Sequence, residues 1–173
     1  AGRGRVSAVK LARLRKTKQY RLDPAKFTRD VSQELARKVR WWSSNRPDWQ
    51  LVLRADGTSD IGIGRRICQD HPSVRFMDYT KNLQVLRRDR KIPYGPNYHL
   101  TFSWSGENEQ ECKEALALGY NVAVPFIHNI KAMRGLPTAW HPPEFMGFPV
   151  ISGENDDLRF LDKTPAIVAL RPK

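Results

Sequence analysis

The sequence predicts an α/β fold: a mostly parallel open sheet, or partial barrel, of about six strands, preceded by two basic helices. Three observations predict it. Short apolar runs bounded by turn residues alternate with loops or helical stretches from Gln50 onward. Two stretches before Gln50 carry helical spacing instead. The 173 residues, 40 % of them hydrophobic, suit one domain over 1–173, with 1–42 as a basic helical N-terminal segment.

The first helix is expected from Val6 to Lys18, where Val6, Val9, Leu11 and Leu14 form a partial apolar stripe among cations. Asp23 then offers a cap and Pro24 suits the first helical position. Phe27, Val31, Leu35, Val39 and Trp42 recur at helical spacing, so this helix should end near Trp42. The expected strands are Gln50–Ala55, Ser73–Tyr79, Tyr98–Ser103, Asn121–Phe126, Phe148–Ser152 and Ala166–Leu170. A short helix is expected over Ile61–Gln69 and a basic turn over Leu86–Lys91. Ser105 should cap a helix that runs to Leu118 and stops at Gly119. Residues 128–149, with four prolines, read as a long irregular stretch of the kind that often carries function. The last strands, separated only by turns, are expected to pair antiparallel at an edge.

Charge is concentrated. Residues 1–40 hold 13 Lys/Arg against 3 Asp/Glu, while the remaining residues hold 17 against 15. A lopsided cationic segment is the electrostatic footprint of a polyanion binder, whereas solubility alone does not require such clustering. Arg3, Arg5, Lys10, Arg13, Arg15, Lys16 and Lys18 are the expected phosphate contacts. Trp41, Trp42 and Trp49 sit beside the basic helices; they could stack on bases, although core packing is the commoner job of a Trp.

No apolar run approaches the roughly 20 residues of a membrane span, so no membrane partner is expected. The basic start has no apolar core behind it and does not read as a signal peptide. Cys68 and Cys112 lack metal-ligand spacing and read as free thiols of a reducing compartment.

In parallel α/β folds ligands sit at the carboxyl ends of strands. Several polar groups are expected there, and Arg54, Thr58, Ser59, Asp60, Tyr79, Thr80, Lys81, Thr101 and Ser103 are the candidate pocket residues, with His128 just past the fourth strand. Asp56-Gly57-Thr58-Ser59-Asp60 could hold a phosphate or a hard cation; its plainer account is a turn. Asp78-Tyr79-Thr80-Lys81 could supply a phosphate contact or an acid–base pair; its plainer account is a solvated lysine and a packed tyrosine ring. Glu154, Asp156, Asp157 and Asp162 could gather a cation, or could simply form an acidic turn with Arg159 as counter-ion. His71, His99, His128 and His141 show no helical metal-motif spacing.

The ordered set Arg54–Ile61, Phe76–Lys81, Pro96–Ser103, Gly119–Val124, Pro149–Asp162 and Ile167–Lys173 resembles a family of uncharacterised phage and prophage proteins. The resemblance covers essentially the whole chain. Asp56 stands where the family pattern has Asn, and Glu154 where it has Asp. Many members carry a Cys-rich segment just before the region matching Ala1–Arg5, and the sequence given begins after it. Clustered cysteines ahead of such a fold would resemble an iron–sulfur or metal enzyme, and that chemistry is not carried over to these residues. The resemblance implies a phage or mobile-element origin, with host cytoplasm or virion as the expected location.

Three functions stay open at this stage. The leading one is nucleic-acid binding, to DNA or RNA, through the basic segment. The second is a metal-dependent phosphodiesterase or nucleotide-processing enzyme with Asp60, Asp78, Asp156 and Asp157 around Mg²⁺ or Mn²⁺. The third is a non-catalytic accessory protein that binds a host or virion protein.

Overall fold

The computed structural model describes residues 7–57, 59–126 and 141–171. Arg3, Arg5, Val6, Thr58 and His128 therefore lie outside the described residues.

Five α-helices and seven strands are described. Helix α1 spans Ser7–Leu22 and α2 spans Pro24–Asn45. Strand β1 is Val52–Leu53, followed by α3 (Ile63–Ile67) and a 3₁₀ turn, Cys68–Asp70. Then come β2 (Arg75–Thr80), α4 (Leu83–Lys91), β3 (Tyr98–Ser103), α5 (Glu109–Ala117) and β4 (Asn121–Pro125). The chain closes with β5 (Glu144–Phe145), β6 (Phe148–Ser152), a 3₁₀ turn at Arg159–Leu161 and β7 (Ile167–Leu170). The strand order is β1-β2-β3-β4-β7-β6-β5, so the sheet is open rather than a closed or partial barrel.

The expected α/β class and the mostly parallel open sheet hold, with corrections. There are seven strands where six were expected, because Glu144–Phe145 pairs antiparallel with Phe148–Pro149 inside the stretch read as irregular. β6 and β7 pair parallel, not antiparallel; the link between them, which includes the Arg159–Leu161 turn, is long enough for a crossover. The basic turn is in truth helix α4, entered through Asn82, whose side chain accepts the Gln84 N–H at 3.0 Å. The residue before α5 is Asn108 rather than Ser105, and Asn108 Oδ1 accepts the Ser105 N–H at 2.7 Å. Gly119 follows α5 at φ +89°, as its position predicted.

The chain divides into two compact units. One comprises Ala1–Phe76 with Tyr94–Tyr98, and the other Met77–Pro93 with His99–Lys173. In the first, Asp23 caps α2 by accepting the Lys26 N–H at 2.8 Å, with Pro24 opening the helix. The apolar face of α2 then delivers Leu35 to a core with Ile63, Ile67, Val74 and Phe76, flanked by Phe27, Val31 and Val39. β1 pairs parallel with the start of β2, Val52 opposite Arg75. Buried Asn97 ties this unit together: its Nδ2 donates to the carbonyls of Cys68, His71 and Val74 at 2.9, 3.0 and 2.9 Å.

In the second unit β3, β4, β7 and β6 run parallel in that spatial order. Phe102, Val122, Val124, Ile167 and Val168 are fully buried on these strands, with Leu86 of α4 and Leu116 of α5 beside them in the core. Such near-continuous apolar strands are what a parallel sheet covered on both faces requires. Arg87 and Glu114 form a two-pronged ion pair at 2.6 and 2.7 Å between α4 and α5, which raises the guanidinium pKa and lowers that of the carboxyl.

Candidate nucleic-acid interface

Helix α1 carries six cations, Lys10, Arg13, Arg15, Lys16, Lys18 and Arg21, and no carboxylate in its 16 residues. At about 100° per residue these fall on every side of the helix. Lys10, Arg15, Lys16 and Lys18 are exposed, and Arg13 is half-buried. Leu11 and Leu14 of the partial apolar stripe do not seat in a core; they are 64 % and 66 % exposed. The helix is anchored near its C-terminal end instead, where Tyr20 packs edge-on against Phe27 of α2 at 5.8 Å. The Arg66 guanidinium lies over the Tyr20 ring, 6.0 Å from its centre.

At the far end of α2 the three tryptophans meet. Trp41 and Trp42 contact edge to face at 5.2 Å, and Trp42 stacks on Trp49 at 5.7 Å with 24° between planes. Core packing, the commoner role, is not what two of them do: Trp41 is 54 % and Trp49 68 % exposed. Arg37, Lys38, Arg40 and Arg46, their neighbours in sequence, are exposed.

A shallow groove of about 200 Å³ lies between α2 and α3, lined by Thr28, Arg29, Ser32 and Gln33 on one side and Arg66, Ile67 and Asp70 on the other. Beside it the Ser32 hydroxyl stands 2.8 Å from Nε2 of buried His71. Sequence reasoning missed this contact, because the two residues are 39 positions apart and no local pattern joins them.

At the strand end of the first unit Asp56 forms a cap. Buried Asp56 accepts the Ser59 hydroxyl at 2.8 Å on one oxygen. Its other oxygen accepts the N–H groups of Gly62 and Ile63, at 2.8 and 3.0 Å, where α3 begins. Asp60 faces Arg65 at 3.6 Å. Among the described residues a Cβ at Gly57 would meet nothing within 4 Å. Arg54 is half-buried just after β1.

In the second unit Tyr79 is half-buried, Lys81 exposed and Asp78 buried. Thr80 is buried and its hydroxyl accepts the Asn82 N–H at 3.0 Å, so it shapes the entry to α4. Thr101 and Ser103 share one face of β3, and Thr101 lies opposite Asn121 of β4. Asn121 Oδ1 accepts the Ala166 N–H at 2.9 Å, while its Nδ2 and the Thr101 hydroxyl are buried and have no hydrogen-bond partner among the described residues. His99, on the same face of β3, has its pKa lowered by burial and by nearby Arg159, against a weaker opposing pull from Asp89.

The acidic segment folds around Arg159, which is 1 % exposed. Its guanidinium approaches Asp162 at 3.1 Å and Asp156 at 3.6 Å, and donates to the carbonyls of Gly153 and Asp156. Burial pushes the Asp162 carboxyl pKa up against the attraction of Arg159. Gly153 is required here: a Cβ would come within 2.7 Å of Arg159, Val168 and Leu170. Asp156 also accepts the Leu158 N–H at 2.8 Å, and Asp157 is exposed. The counter-ion account of this cluster is therefore the one its geometry fits.

Among the described residues no three His, Cys, Asp or Glu side chains stand close enough to share an ion.

Fold and surface together define a class: an α/β protein whose open, mostly parallel sheet is preceded by two basic helices. The Gene product 88 family matches over residues 1–173, and the chain belongs to that phage-type family. No curated protein and no solved structure matches it. Among the described residues no helix is long and apolar enough to cross a membrane.

Proposed function

We propose that this phage-type protein binds nucleic acid, DNA or RNA, through its basic N-terminal helices. The observation that carries the reading is α1: six cations, no carboxylate, and leucines left in solvent. Some cations elsewhere face carboxylates of their own unit, as in Arg65–Asp60, Arg87–Glu114 and Arg159–Asp162. A helix that is cationic all round repels itself, and a polyanion relieves that repulsion while releasing counterions. Arg29 and Arg66 in the groove between α2 and α3 extend the cationic surface within the same unit.

The test is binding of labelled DNA and RNA by the chain and by a Lys10→Gln/Arg15→Gln/Lys16→Gln/Lys18→Gln variant at low salt. The variant should bind at least about tenfold more weakly, since each lost phosphate contact removes one counterion-release step. Absence of binding by the unaltered chain would overturn the reading. An acidic protein partner would then be the better account, shown by a capture that survives nuclease treatment.

A further inference from the structure

We infer that the Trp41–Trp42–Trp49 cluster is a stacking platform for unpaired bases, which makes single-stranded nucleic acid the preferred substrate class of the basic helices. The inference rests on the nucleic-acid reading and adds the form of the strand to it.

The geometry follows from how α2 ends. Phe27, Val31, Leu35 and Val39 spend the apolar stripe of α2 on the core of the first unit. Trp42 continues that stripe and is half-buried, whereas Trp41, about 100° further round, faces solvent. The Arg46 N–H closes the helix on the Trp42 carbonyl at 2.7 Å, and the Trp49 N–H then bonds the Arg46 carbonyl at 3.1 Å. These two bonds fold the chain back and lay the Trp49 indole on that of Trp42. Trp42 thus lies between its neighbours, and both outer tryptophans are more than half exposed.

Large exposed aromatic surface marks a binding site more often than an accident, and the charge around it selects the occupant. Arg37 and Lys38 lie one helical turn before Trp41, with Arg40 adjacent and Arg46 at the cap; Asp48 is the single acid among them. Flat rings within reach of several cations suit a strand whose bases stack while its phosphates pair. A duplex hides its base faces in the stack, so it could use the cations and not the rings. Sequence preference should be slight, because every base offers a π-face.

The experiment titrates the full chain with an oligothymidylate of about twenty nucleotides, and separately with a duplex of equal length, following tryptophan fluorescence and anisotropy at one salt concentration. The expected result is quenching by the single strand and a preference of about tenfold or more for it over the duplex. Trp41→Ala and Trp49→Ala, both at exposed rings, should each lose most of the quenching and about tenfold in single-strand affinity, with duplex affinity unchanged. Trp41→Phe should retain most of the affinity and guards against a folding defect in the alanine variant. Equal binding of the two forms, without quenching and unaffected by these changes, would overturn the platform and leave the basic-helix reading standing. No binding of either form would overturn both.

Discussion

The carboxylate of Asp56 accepts the backbone N–H of Gly62 at 2.8 Å, and with Ile63 and Ser59 it closes the loop between β1 and α3. One buried side chain thereby satisfies two orphan donors at a helix entry, which is the work of a cap. Asp56→Ala should destabilise the chain by about 1–3 kcal/mol, because it strands buried donors. Asp56→Asn should cost less, since its single side-chain oxygen can still accept both N–H groups and only the bond from the Ser59 hydroxyl loses its acceptor. Urea midpoints for the three proteins check the order.

His99 should make stability fall on mild acidification. Its folded-state pKa lies below the ordinary 6.5, chiefly through burial and then through Arg159, with Asp89 opposing. Below 6.5 the unfolded chain takes up a proton that the folded chain refuses, so the contribution is whole above 6.5 and is lost as pH falls through and below it. His99→Gln should flatten the dependence between about pH 7 and pH 5.5, measured as the change in urea midpoint. An unchanged slope in the variant would remove His99 as its source.

The two thiols should be silent in the folded protein. Cys68 and Cys112 are thiols outside any disulfide and are fully buried. Burial, with Glu111 and Glu109 adding repulsion, pushes the Cys112 thiol up to about 12, so almost no thiolate exists at neutral pH. A chromogenic disulfide reagent should react slowly with the native chain and rapidly, with both thiols, in denaturant. Fast reaction of one thiol under native conditions would mean that its surroundings open far more readily than this packing allows.

Much of this was legible in the residues. The Asp23–Pro24 start of α2 carried its own signal, and Tyr98–Ser103 and Phe148–Ser152 are strands over the predicted residues. Helix α4 was not legible, because only Val85 and Leu86 of its nine residues are buried and the remainder reads as a charged turn. The parallel pairing of β6 with β7 needs a crossover that residue patterns do not announce. At the site, the cationic segment was plain from charge alone. The exposure of Trp41 and Trp49 was not, because an indole one position off an apolar stripe looks like core until the stripe's direction is known. Nor could the sequence tell that Asp56 caps and Asp60 faces Arg65, since the same residue types serve turns, caps and ion sites.

The most direct test of the central claim is the salt dependence of nucleic-acid affinity, measured for the unaltered chain and for the four-residue α1 variant. A helix that contacts phosphates predicts a linear fall of log affinity with log salt, with a slope smaller by about three to four in the variant if all four side chains reach duplex phosphates. An affinity that does not weaken with salt, or a slope identical in the two proteins, would contradict the assignment of α1 to the phosphate backbone.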